Sequence, residues 1–502
     1  MIARIISNPH KKARLPPGPS PLPIIGNILD LTAHEQWRQV FEWAKRYGDM
    51  IFIRVFNTPC LFLNSAEVAM DLLHKRGSIY SDRPHLTMAS DLCGFGDLVP
   101  LTKYGERFKL ERRLMNQALG LGAVEKWQPL VTNETHILLQ HLLRSPETFV
   151  EHFRRYAGSL IFSAIYGYQI TENNDPYVKE SEEFMEVSSY AMAGGWVVDF
   201  FPWLRYIPGL SFGRLAAQWK AKIADWVEKP HQMFKGLPDS PGKRSSFCGM
   251  LLLNDAGKIT CEPEYEYRVK WLATSMYGPG SDTTVITLSM LFLALCHYPW
   301  VLKKAHQQLD EVLGSDRLPT LHDRPRLSYV DCILKEVLRW GTPVPMTPPH
   351  RLIQDDRYRE FNLSGGSFCV ANMWAILHDE KLYPEPLAFS PERFEGTDIR
   401  TPNCARPTDP YNYAFGFGRR RCPGVHFADQ SLFLAFASIL ACFDIAPLTD
   451  VSTGQPVLPP LEFAGGAFRH PMPFRCKITP RRAETAALIE AAMVSSALSY
   501  SS

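Results

Sequence analysis

The residues best equipped for chemistry lie in one run, Phe415-Gly416-Phe417-Gly418-Arg419-Arg420-Arg421-Cys422-Pro423-Gly424. An apolar stretch from Val425 to Phe443 follows and reads as a helix. Glycines around one cysteine let the backbone turn tightly and pass close to a flat partner. A helix starting just beyond Cys422 brings backbone N–H groups and a positive dipole end near the sulfur, which predicts a lowered thiol pKa and a thiolate. Such a thiolate, with arginine beside it and an aromatic seven positions earlier, suits an axial ligand to haem iron. Arg420 would then meet a propionate and Phe415 the macrocycle. The other ten cysteines read as packing residues. No two of the eleven lie within four positions, so no paired-cysteine zinc site is encoded.

Four further constellations are candidates. In Gly280-Ser281-Asp282-Thr283-Thr284, an acid followed by a hydroxyl can hold water at an opening in a helix and relay protons to a bound ligand. Pro279 lacks an N–H, leaves the Ser275 carbonyl without its helical donor and predicts a kink between two helical runs, Glu266 to Tyr277 and Val285 to Tyr298. Glu336 and Arg339, three apart in the helical stretch Val330 to Trp340, share a face. Arginine's fixed fork of donors suits carboxylates, which draws attention to Arg112, four positions after Phe108, and to His350-Arg351 after a proline-rich run. Last, Gly209-Leu210-Ser211-Phe212-Gly213 matches the nucleophile elbow of serine hydrolases, with Ser211 as nucleophile. That motif needs a buried central strand before it, and Trp203 to Ile207, closed in by Pro202 and Pro208, is a poor one.

The elements that must carry these residues are mostly helical. Trp37 to Tyr47 and Ala66 to Arg76 read as helices, and Met50 to Val55 with Cys60 to Asn64 as two short strands. From Gly105 to Leu313 the pattern is amphipathic helices broken at 172–176, 202–213 and 236–242, and short strands return only after Pro349. A mainly α fold with small β-sheets (α+β), in one large domain, is expected for residues 16–482. Residues 16–23 form a proline-rich hinge, residues 1–15 a short basic leader with no transmembrane helix, and residues 483–502 a weakly helical or disordered tail. With 54 basic and 52 acidic residues in 502, the net charge is +2, against the strongly basic balance of a nucleic-acid binder.

The run Phe415, Gly418, Arg420, Cys422, Gly424 resembles the signature of the cytochromes P-450, the haem-thiolate monooxygenases. Pro391-Glu392-Arg393-Phe394 follows at the family's spacing, and the motifs fall in family order from Pro16 to Arg482. The resemblance implies the P-450 fold, haem b (iron protoporphyrin IX) with Cys422 as axial thiolate, and a buried network of Glu336, Arg339 and Arg393 holding the cysteine loop. It implies Asp282 and Thr283 as the proton-supplying pair on the distal side, and Arg112, Phe108, Arg351 and His350 as haem contacts, with Phe108 in the place of the family's tryptophan and Pro279 in that of its alanine or glycine. It further implies a lipophilic substrate and O2. Electrons are expected from a separate NADPH-cytochrome P-450 reductase, with cytochrome b5 as a second donor and Arg419 and Arg421 as docking cations. A monomer at the cytosolic face of the endoplasmic reticulum membrane is expected, without the apolar anchor that such members carry before the hinge. Arg76 to Ser81 and Phe468 to Phe474 look most like fungal, basidiomycete members of secondary metabolism. Two other readings stand beside this one: a haem-thiolate isomerase or dehydratase acting on peroxides, and the Ser211 hydrolase.

Overall fold

The structure is a computed structural model that describes residues 14–32, 34–171, 175–396, 409–464 and 466–501, with side chains as far as Ser496. Most of the basic leader and Cys404 lie outside the described residues. At the centre runs one 35-residue helix, Pro263–His297. Its start follows from its residues: proline stands in the first turn, where no N–H is needed, and Glu264 and Glu266 face the positive dipole end. The two helical runs expected on either side of residues 278–284 are one continuous helix with Pro279 inside it. Helical hydrogen bonding continues on either side of the proline, and tertiary packing compensates for the bond that Pro279 cannot make. That packing is tight: a Cβ on Gly278 would lie 2.7 Å from the Phe184 ring, and one on Gly280 2.8 Å from Ile161 Cδ1.

Around this helix pack Phe149–Tyr166, Pro176–Met192, Ser211–Gly236, Ser328–Gly341 and Val425–Cys442. Pro263–His297 and Val425–Cys442 are apolar enough to cross a membrane by length and composition. However, 78% of each one's most apolar window is buried inside the protein, which marks them as core helices. A four-stranded sheet lies to one side in the order Met50–Val55, Thr58–Leu63, Phe368–Ala371, His350–Arg351. The first and last pairings are antiparallel and the middle one is parallel. A bridge from Arg351 to Asp82 extends this sheet toward the Ser81–Pro84 segment. The C-terminal segment expected as a weak helix or a tail is the helix Thr485–Ser501, which packs on Gln128–Arg144 and buries Ile489 completely.

Candidate active site

The Cys422 loop is built by two glycines. Gly416 (φ +76°) and Gly418 (φ +52°) occupy the left-handed region, and a Cβ on Gly418 would sit 2.3 Å from the Leu73 carbonyl oxygen. The Cys422 N–H then donates to the Phe415 carbonyl (2.8 Å), closing the turn. Gly424 has an ordinary φ of −85° as N-cap of Val425–Cys442, and its N–H approaches the Cys422 sulfur. Cys422 is open to solvent on one side and surrounded by protein on the others. The expected lowering of its pKa is not found. Desolvation pushes the thiol up, outweighing the Gly424 N–H, Arg112 and Arg421. A metal cation, which deprotonates a coordinating thiol, would supply the missing stabilisation. Phe415 stacks on Tyr411 (5.4 Å between ring centres) beside the loop.

Next to this loop lie the buried Arg83 and the half-buried Arg420. Arg420 donates to the carbonyls of Ser81 (2.8 Å), Val99 (3.3 Å) and Thr102 (2.6 Å), and its guanidinium lies 3.7 Å from the centre of the Phe108 ring. Arg83, which the sequence reading passed over, is buried with Nη1 on the carbonyls of Pro348 and Pro349 (both 2.6 Å), while its Nε has no partner. Burial lowers Arg83 to about 9 and Arg420 to about 10, and each feels another arginine: Arg83 feels Arg420, and Arg420 feels Arg112. His350 is fully enclosed and held neutral by burial and by Arg83. Its Nδ1–H donates to the Tyr80 carbonyl (2.8 Å). Arg112 reaches the Arg421 carbonyl (2.7 Å). The buried acids here are already occupied: Asp82 accepts from the Tyr104 N–H (2.8 Å) and meets Arg351 at 3.2 Å, and Glu111 accepts from Arg107 Nε (2.7 Å). Arg351 is therefore tied to a protein carboxylate at the rim and is not grouped with the free donors.

Buried guanidinium groups without acids are costly unless an anion joins them. An orphaned Arg83 Nε, a second cation at Arg420 and the lone thiol of Cys422 form a donor set that fits a haem: carboxylates for the arginines and iron for the sulfur. Only one of the two arginines expected to dock a partner is exposed. Arg419 lies on the surface over the Tyr104 ring (5.0 Å), whereas Arg421 is half-buried and donates to the Tyr411 carbonyl (3.0 Å).

Behind the loop, Glu336 and Arg339 are completely buried and joined by two hydrogen bonds (2.7 and 2.8 Å). Arg393 Nε adds a third at 3.1 Å and the Ser390 N–H a fourth at 2.8 Å. Arg339 spends its remaining donors on the carbonyls of Leu377, Pro386 and Ala388 (2.7–3.0 Å). Glu336 is met by two arginines whose other donors end on backbone carbonyls, the hydrogen-bonded condition under which a buried ion pair is tolerated.

Asp282 and Thr283 lie past the middle of Pro263–His297. Thr283 Oγ1 donates to the Pro279 carbonyl (2.9 Å), and Asp282 Oδ2 accepts from His470 Nε2 (3.2 Å). No pattern in the sequence singles out His470. It precedes Pro471 in a segment without helical or strand periodicity, and only the fold brings it to the central helix. Ser211 is corrected outright: the segment before it is the 3-10 helix Pro202–Tyr206 and not a strand, and Ser211 opens an exposed helix start. No elbow exists there.

The pattern of the family described as Cytochrome P450 matches residues 16–474. Among curated relatives, "Cytochrome P450 monooxygenase claT" of Ampulloclitocybe clavipes is 54% identical, over 95% of this chain and 93% of that protein. "Cytochrome P450 monooxygenase claR" of the same fungus is 38% identical, over 95% and 89%. "Cytochrome P450 monooxygenase 176" of Postia placenta is 36% identical, over 95% and 92%. A solved zebra fish cytochrome P450 with abiraterone shares the fold, with a TM-score of 0.70 and 23% identity, over 89% of this chain and all of that one. With a matched pattern spanning nearly the whole chain and relatives at this identity, the protein belongs to the cytochrome P450 family and is a monooxygenase that carries haem on a cysteine.

Proposed function

We propose that this P450 monooxygenase inserts one atom of O2 into a lipophilic small molecule of fungal secondary metabolism, with electrons delivered by a separate NADPH-dependent reductase. The observation that carries the reading is one free thiol, Cys422, in a loop whose Arg420 lies near the buried Arg83, a guanidinium whose Nε has no hydrogen-bond partner. When bound, the haem supplies the redox centre at which O2 is activated. The chain's part is to hold and orient it: Cys422 ligates, Arg83 and Arg420 neutralise its carboxylates, and His350 and Arg112 border them. Glu336, Arg339 and Arg393 fix the loop that presents the sulfur. Thr283 and Asp282 supply protons from the central helix.

The substrate side is apolar. Leu86, Met88, Phe95 and Leu98 pack against Phe184 and Trp226, with Phe468 of the C-terminal segment against the same cluster. This buried apolar cluster supports a lipophilic substrate. Membrane contact on the cytosolic face of the endoplasmic reticulum is supported by the strong exposure of Ile24, Leu29, Trp203 and Tyr206, at 59–88%. Phe56, against Phe200 (5.2 Å) and Phe201 (4.9 Å), ties the two stretches that carry these residues.

The test is turnover of a fungal lipophilic metabolite extract by haem-loaded protein, reductase and NADPH under ¹⁸O2. One labelled oxygen atom per product molecule is expected. Product formed only from added peroxides, without reductase or O2, would support the isomerase or dehydratase instead.

A further inference from the structure

Asp282 does not stand alone in the distal region. Its side chain is 16% exposed, and Oδ2 accepts from Nε2 of His470, whose own side chain is 40% exposed. His470 is aimed by a pinned backbone: the Ala464 N–H donates to the His470 carbonyl (2.8 Å), and the Arg469 N–H donates to the Pro343 carbonyl (2.9 Å). Arg469 anchors the same loop by donating to the carbonyls of Trp340 (3.1 Å) and Gly341 (2.7 Å), with its guanidinium 3.5 Å from the Phe463 ring centre. The imidazole thus reaches Asp282 from a fixed platform.

A like charge also lies within electrostatic reach of Asp282. Glu182, on Pro176–Met192, is held by Arg154 Nε (2.7 Å) from Phe149–Tyr166, and Arg154 also meets Glu151 at 3.6 Å. Burial raises the Glu182 carboxyl, Arg154 opposes that rise, and Asp282 and Glu151 add to it. Asp282 therefore has repulsion from one helix and a hydrogen-bond donor from the C-terminal segment.

We infer that His470 is the positioning residue for Asp282, holding its carboxylate in place through Oδ2 against the repulsion of Glu182. The bond also links the loop that carries Phe463 and Phe468, on the substrate side, to the acid on the central helix. The inference rests on the proposed role of Asp282 in proton supply, and the experiment separates the two. Haem-loaded protein is given reductase and NADPH, and oxygen uptake is followed in H2O and D2O. In His470→Ala, uptake falls about tenfold, the size of one charge-assisted hydrogen bond, and the solvent isotope effect grows. His470→Gln, which keeps a donor, restores most of the rate. Asp282→Asn falls as far, and the double variant falls no further than either single one. The same non-additivity appears in thermal unfolding midpoints, which read the bond without turnover. His470→Ala indistinguishable from wild type while Asp282→Asn is impaired, or additive losses in the double variant, would overturn the inference. Unchanged uptake and isotope effect in Asp282→Asn would instead overturn the role given to Asp282.

Discussion

Cys422 and the Glu336–Arg339–Arg393 network show two uses of one chemistry, the compensation of buried charge. In the network one buried acid, Glu336, is paired with two arginines, so removing it leaves buried guanidinium charge stranded. Glu336→Gln should cost about 3–5 kcal/mol in denaturant unfolding and lower the haem bound per chain. An exposed pair such as Lys45 and Glu42 should move stability by less than about 1 kcal/mol on the same substitution. Around Cys422 the compensation is incomplete, since Arg83 is a buried cation whose pKa is lowered by burial and by Arg420, and its Nε has no partner. Arg83→Leu removes that unmet charge. It should leave the haem-free protein as stable as wild type or more so, while weakening haem retention, measured as haem lost to an acceptor protein. The residues at this scale were legible where spacing constrains chemistry, as in Phe415 to Gly424. Arg83 was not, because a single arginine between Asp82 and Pro84 carries no periodic signal and its role exists only once the 348–349 carbonyls are brought to it.

At the scale of elements, the central helix teaches the limits of local rules. Pro279 separates two helical runs in the sequence, yet they form one 35-residue helix, with Phe184 and Ile161 packed close on the flanking Gly278 and Gly280. Pro279→Ala should therefore stabilise the protein, by up to about 3 kcal/mol, seen as a higher unfolding midpoint. A second element-scale contact is pH-sensitive. Asp199, at the end of the short helix Val197–Phe200, accepts the Met88 N–H (2.8 Å) and so fastens this helix to the 84–101 segment over the substrate side. Burial raises its carboxyl to about 6, above the ~3.9 of an unfolded chain. The neutral acid is thus favoured in the folded state, and its stabilising contribution is complete below about pH 4 and lost as pH rises through about 6. Asp199→Asn should abolish that loss, so the midpoint difference between variant and wild type grows from pH 4 to pH 7. A difference that stays flat over this range would reject the assignment.

Across the whole molecule, Arg112 and the Cys422 loop meet although 309 residues separate Arg112 from Arg421. A length that suggests several domains therefore folds around one core, and the helix-dominated class follows from periodicity. The sequence was less informative about its two ends. The C-terminal stretch is rich in alanine and serine, and its helix forms because Ile489 and its neighbours find the Gln128–Arg144 helix. Ile489→Ala should cost about 2–4 kcal/mol in denaturant unfolding, where a disordered tail would show no change. The long-range contact of His470 with Asp282 was equally hidden, since 188 residues separate partners that only the fold unites. The claim on which all of this rests is that Cys422 ligates the haem iron as a thiolate. The reduced, carbon-monoxide-bound difference spectrum tests it most directly. Wild-type protein should show a Soret band near ~450 nm that Cys422→Ala abolishes. Absence of the band in folded, haem-loaded wild type, or its persistence in Cys422→Ala, would contradict the account.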